Sequence, residues 1–102
     1  METLQFIWDP QKNTINFRKH GVTFEEASTV FEDRWARVID DPDHSIDEQR
    51  FIILGMSKKP RLLIVCHCYR DQKEIIRIFS ARKATKTEST FYEEHRRGEY
   101  YA

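Results

Sequence analysis

Arg50, His67 and Arg77 are the residues here whose types suit phosphate chemistry, and all three fall in one strand-rich stretch from Arg50 to Lys83. A guanidinium binds phosphate oxygens through paired hydrogen bonds and stabilises charge that grows in a transition state. An imidazole titrates near neutrality and moves protons. Cleavage of RNA by its own 2′-hydroxyl needs alignment, a proton acceptor, a donor for the leaving oxygen and cations around the phosphorus. It needs no metal. Glu48, just before Arg50, is a second candidate base, or else a salt-bridge partner. Read as structure alone, a strand histidine is a satisfied core residue and the two arginines are ion-pair residues.

The elements that would position these groups are three strands in series. FIILGM, RLLIVCHC and EIIRIFSA are rich in Ile, Val, Leu and Phe, and the breaks SKKP and YRDQK separate them. If Ser57–Pro60 closes the first hairpin, Met56 faces Arg61 and Arg50 faces His67. If Tyr69–Lys73 closes the second, Cys68 faces Glu74, His67 faces Ile75, and Arg77 lies diagonal to His67, about 7–8 Å away. This register predicts a core face of Phe51, Ile53, Leu62, Ile64, Cys66, Ile76 and Ile78. The opposite face would mix Ile52, Leu54, Leu63, Val65, Ile75 and Phe79 with Arg50, His67 and Arg77. A slip of one residue breaks that convergence, because strand period is two.

Further cations lie nearby in sequence: Lys19 and His20 near Gly21, Arg70 in the YRDQK break, and Arg82 and Lys83 before Thr85. These would position an RNA strand. Lys and Arg balance Asp and Glu at 17 each, which argues against a broadly cationic nucleic-acid binder. The charges are segregated, however: Glu32–Glu48 is mostly acidic and Lys58–Lys83 mostly basic, so an anion could bind locally.

The 102 residues fit one domain with a modest core. No run is long enough to span a membrane and no signal segment is visible, so a cytoplasmic location is expected. Three glycines leave no phosphate-cradling loop, and no nucleophile elbow or paired Cys/His zinc spacing occurs. No cofactor is expected. Cys66 and Cys68 read as small apolar core residues. Asp40–Ser45 has the look of a metal loop, but Asp, Pro and Ser are turn formers and nothing completes a coordination motif. Trp8 and Trp35 read as core, although an exposed one could stack on a base.

Upstream, Leu4–Trp8 predicts a strand, and Asp9-Pro10 predicts a helix start with Gly21 as its stop. Either Ile15 or Phe17 should anchor this weakly amphipathic helix. Thr23 and Glu26 form a capping box for a second helix, about Phe24–Glu32, with Phe24, Ala27, Val30 and Phe31 as its buried stripe. Trp35–Ile39 predicts another strand. Thr85 and Glu88 open a last helix that Gly98 should end near Arg97. The layout is α+β, with helices packed on one face of a mostly antiparallel sheet.

Three segments carry a resemblance to BrnT toxins. The opening resembles the pattern W-D-x-x-K-x-x-x-N-x-x-K-H-G-V/I-x-F-E-E-A, through Trp8, Asp9, Lys12, Asn16, Lys19, His20, Gly21, Val22, Phe24, Glu25, Glu26 and Ala27. E-x-R-F-x-x-x-G-x-S is matched by Glu48, Arg50, Phe51, Gly55 and Ser57. I-R-I-I-S-A-R-x-A-T is matched by Ile76, Arg77, Ile78, Ser80, Ala81, Arg82, Ala84 and Thr85. The resemblance implies a type II toxin with a RelE-like fold, two N-terminal helices on one sheet face and a C-terminal helix. It implies an endoribonuclease that arrests growth, neutralised by a BrnA-type antitoxin that binds operator DNA, with two toxins in a heterotetramer. The alternative is a non-catalytic subunit that binds a DNA-binding repressor. Direct DNA binding by this chain is disfavoured, since no strongly basic recognition helix is visible.

Overall fold

The computed structural model of the chain describes residues 4–45, 47–72 and 74–101. Lys73, part of the expected second turn, lies outside them. In chain order the elements are strand β1 (Gln5–Ile7), helices α1 (Pro10–His20) and α2 (Phe24–Ser28), and strands β2 (Arg37–Asp40), β3 (Phe51–Met56), β4 (Leu62–Arg70) and β5 (Ile75–Lys83). Helix α3 (Lys86–Tyr101) follows, and short 3₁₀ turns lie at Thr29–Glu32 and Pro42–His44. The five strands form one mixed sheet in the order β1-β5-β4-β3-β2, with only β1 and β5 parallel.

The helix starts follow local chemistry. The Asp9 side chain accepts from Gln11 N at 2.8 Å, and Pro10 takes the first helical position, where its missing N–H is not needed. Gly21 ends α1 at φ 70°, a conformation glycine adopts without steric cost. Thr23 caps α2 by accepting from Glu26 N. Thr85 and Glu88 form a reciprocal box, Glu88 Oε1 accepting from Thr85 N at 2.8 Å and Thr85 Oγ1 from Glu88 N at 3.2 Å. Gly98 does not end the last helix. It lies within α3, and only Gly21 among the glycines has a positive φ.

One sheet face builds the core. Ile53, Leu63, Val65, Ile76, Ile78 and Ala81 pack against Val22, Phe24, Ala27 and Val30, with Phe6, Trp8, Phe31, Ala36 and Tyr69 at the margin. Full burial of a side chain such as Phe24 stabilises the fold by about 1.5–3 kcal/mol. Gly55 lets β3 run close beneath this layer: a Cβ there would meet Val30 and Ala36 at 3.1–3.2 Å.

Neither Ile15 nor Phe17 anchors α1; they are 60% and 52% exposed. The anchor is the buried Asn16. Its Nδ2 donates to the carbonyls of Ala81 (2.8 Å) and Val22 (2.9 Å), and its Oδ1 accepts from Ala81 N at 3.1 Å. Strand β1 stops pairing at Ile7↔Arg77, so the Asn16 amide satisfies the β5 edge where a neighbouring strand is missing.

The observed register departs from the expected one. Met56 pairs with Leu62 and Phe51 with His67, one residue from the anticipated pairing. Glu26 is the cause: it accepts from Ser57 Oγ at 2.7 Å and from Arg61 Nε at 2.9 Å, and Ser57 N donates to Arg61 O. These bonds hold Arg61 in the turn. On the other side Cys68 pairs with Arg77, not with Glu74. Both shifts are odd, so β4 is inverted while β3 and β5 keep their expected faces. A bulge completes the change: Cys66 faces Ser80 and His67 faces Ile78, leaving Phe79 as the extra residue.

Candidate nucleic-acid interface on the outer sheet face

Because β4 is inverted, the expected trio divides. Arg50 and Arg77 share the outer face, away from the core. His67 lies on the core face and is fully buried. Its ring packs edge-on against Phe31 and Tyr69, with centroids 4.8 and 5.1 Å apart. Nδ1 lies 3.1 Å from the Val65 carbonyl and Nε2 3.2 Å from the Tyr69 hydroxyl. A single neutral tautomer, protonated on Nδ1, satisfies both contacts. Burial pushes the His67 pKa down, against a smaller upward pull from Val65 O. The expectation of His67 beside the two arginines is therefore corrected: it is a dry, satisfied core residue.

With His67 inside, Phe79, two residues after Arg77 on the same face, becomes the centre of the outer face. The Arg50 guanidinium lies 3.8 Å from the centroid of the Phe79 ring, that of Arg77 5.7 Å, and Lys12 Nζ 6.0 Å. An aromatic face attracts a cation at these distances. It does not cancel the mutual repulsion of three cations, and neither Lys12 nor Arg77 has a carboxylate partner among the described residues. Arg50 Nε is buried without a hydrogen bond. A preorganised cluster of this kind suits an anion with several oxygens, such as a phosphodiester.

Glu48 and Arg70 border the cluster. Glu48 lies 3.1 Å from Arg70 and 4.0 Å from Arg50. The carboxylate thus sits between two guanidinium groups at the edge of the patch, next to Cys68 Sγ at 3.6 Å. Cys66 also points outward, 3.5 Å from Asp41 Oδ2. Burial, with Asp41 beside it, pushes the Cys66 thiol up to about 11, so it is protonated at neutral pH. Both cysteines are free. No group of three or more His, Cys, Asp and Glu among the described residues is placed to hold a metal ion.

The remaining expected contacts lie elsewhere. Arg82 and Lys83 are about 16 and 20 Å along β5 from Arg77, at 3.3 Å per residue. Arg82 makes a bidentate pair with Glu88 at 2.8 and 2.9 Å, and that pair holds the Glu88 carboxyl down at about 2. Its first task is thus to tie α3 to the sheet. Lys19 and His20 lie at the opposite end of α1 from Lys12, about 10 Å away at 1.5 Å per residue. Lys12 was not anticipated as a site residue. Its position one helical turn before Asn16, the residue that docks α1 on β5, is the signal that would have found it.

The family model for BrnT, the ribonuclease toxin of type II toxin–antitoxin systems, matches residues 8–88. This chain belongs to the BrnT family. The crystal structure of the Brucella abortus ribonuclease toxin BrnT superimposes with a TM-score of 0.64 at 23% identity, covering 82% of this chain and 100% of that one. The likeness extends the family match to the fold, an α+β arrangement with a five-stranded mixed sheet and three helices. No curated protein matches at a significant level. As a BrnT-family chain it is a type II toxin, and Lys12, Arg50 and Arg77 of its cationic patch all lie within the matched segment. No helix among the described residues is long and apolar enough to cross a membrane.

Proposed function

We propose that this chain is an endoribonuclease that cuts RNA by attack of the 2′-hydroxyl on the adjacent phosphorus, with no metal required. The observation that carries this reading is the convergence of Lys12, Arg50 and Arg77 on Phe79, without carboxylates among the described residues to neutralise Lys12 and Arg77. Arg50 and Arg77 hold the scissile phosphate and stabilise the charge of the phosphorane. Glu48, at the rim, accepts the 2′ proton. Arg70 positions that carboxylate through its ion pair. Lys19, His20 and Lys83 guide the flanking strand, while Arg82 acts mainly through α3. The fold is read as RelE-like, and the toxin pairs with a BrnA-type antitoxin that binds operator DNA, two copies of each in the complex.

The test uses purified, partner-free protein with end-labelled RNA in EDTA, with and without ribosomes. The native chain is expected to leave cyclic-phosphate ends. Arg77→Ala should lose about 100-fold or more in rate, the scale of one electrostatic contact to a transition state, while keeping the native unfolding midpoint. Full cleavage by a folded Arg77→Ala protein would remove Arg77 from the mechanism. Intact RNA under every condition would leave the second reading, a non-catalytic subunit that binds its repressor.

A further inference from the structure

The loop Asp41–Ser45 lies against the cationic patch and carries a second imidazole. His44 Nδ1 sits 2.9 and 3.1 Å from the two carboxylate oxygens of Asp41. The Asp41 side chain is 7% exposed, that of His44 64%. A buried carboxylate therefore holds one ring nitrogen and leaves Nε2 turned towards solvent. The loop is fastened to the backbone of Arg50 from both sides. Asp41 N donates to Arg50 O at 2.9 Å, Arg50 N donates to Ser45 Oγ at 2.9 Å, and Ser45 Oγ donates to Asp41 O at 2.6 Å. His44 thus keeps a fixed relation to the arginine that stacks on Phe79. A pocket of about 290 Å³ opens between them, lined by Asp43, His44, Asp47, Glu48 and Arg50.

We propose that His44, oriented by Asp41, is the proton donor to the leaving 5′-oxygen of the RNA cut at this site. The proposal rests on the ribonuclease reading above and supplies the group that His67, buried in the core, does not. Asp41 is the positioning residue: it holds Nδ1 and so fixes the orientation of the ring, as carboxylates paired with imidazoles do. In the step, the 2′-oxygen bonds to phosphorus and its proton passes to Glu48. The P–O5′ bond breaks, and the proton on His44 Nε2 goes to O5′. The products are a 2′,3′-cyclic phosphate and a free 5′-hydroxyl, with the proton returned from Glu48 to His44 through solvent.

The linkage cut by the native protein is mapped first, on naked RNA and on ribosome-bound message. A matching oligoribonucleotide is then made with sulfur replacing the 5′-bridging oxygen at that linkage. A thiolate leaves without a proton, so a missing donor no longer matters. His44→Ala, at an exposed position, is expected to cut the ordinary linkage about 100-fold or more slowly and the sulfur linkage at near the native rate. Asp41→Asn should show the same pattern, weaker. An ordinary-linkage rate unchanged in His44→Ala, or an equal loss on both linkages, overturns the assignment while leaving the ribonuclease reading intact. A native protein that cuts neither naked nor ribosome-bound RNA overturns the ribonuclease reading and this proposal together.

Discussion

His67 and Lys12 exchange the roles that chemistry alone suggests for them. An imidazole in a strand near two arginines invites a catalytic reading, yet this one bonds Val65 O and Tyr69 OH inside an aromatic cage. Its folded pKa is lowered from an unfolded value of about 6.5. The sign follows: the unfolded state takes up the proton more readily. This contribution to stability is therefore full above about pH 6.5 and falls away as the pH drops below it. Urea unfolding of His67→Leu should accordingly show a flatter loss of midpoint between about pH 6.5 and 5 than the native chain. The folded variant should still cut RNA. Lost cleavage in a folded His67→Leu protein would return the residue to the site.

Helix α1 shows how an element is placed by polar rather than apolar matching. Its exposed Ile15 and Phe17 contribute little, and one amide serves the edge of β5. Asn16→Ala leaves the Ala81 N–H and C=O without those bonds, and a buried group left unpaired costs about 1–3 kcal/mol. A loss of about 3 kcal/mol in urea unfolding is expected, with RNA cleavage also lowered, because Lys12 is carried by the same helix. An Asn16→Ala protein as stable as the native one would refute this account. The caps at Asp9, Thr23, Thr85 and Glu88 were legible because each is decided within three residues. Register was not, because Glu26 sets it from the far side of the chain through Ser57 and Arg61. Arg50 and Arg77 were still read onto one face, since the two strand shifts cancel between β3 and β5. Phe79 was read onto the outer face with Arg77 by strand alternation alone, but Lys12 was missed because it reaches that ring from α1, a contact across space that no local pattern marks.

The whole molecule is electrically balanced, with 17 acidic and 17 basic residues, so little long-range field draws RNA towards it. Attraction is left to the local patch. Counterion release by Lys12, Arg50 and Arg77 alone predicts a log–log dependence of affinity on salt with slope about −2 on single-stranded RNA, steepening to about −3.5 when Lys19 and Lys83 each take a flanking phosphate. Fluorescence anisotropy with Arg77→Ala should find a slope shallower by about 0.7. A native slope of −5 or steeper would mean that the patch is only part of a much larger footprint. The extra residue at Phe79 reaches further than binding. With Phe79 removed, Ile78 would still face inward, Ser80 outward and Ala81 inward, as in an unbroken strand. The interior is therefore indifferent to that codon. A lineage could gain or lose the ring beneath the cations in one insertion or deletion, remodelling what the toxin attacks while inheriting its core unchanged.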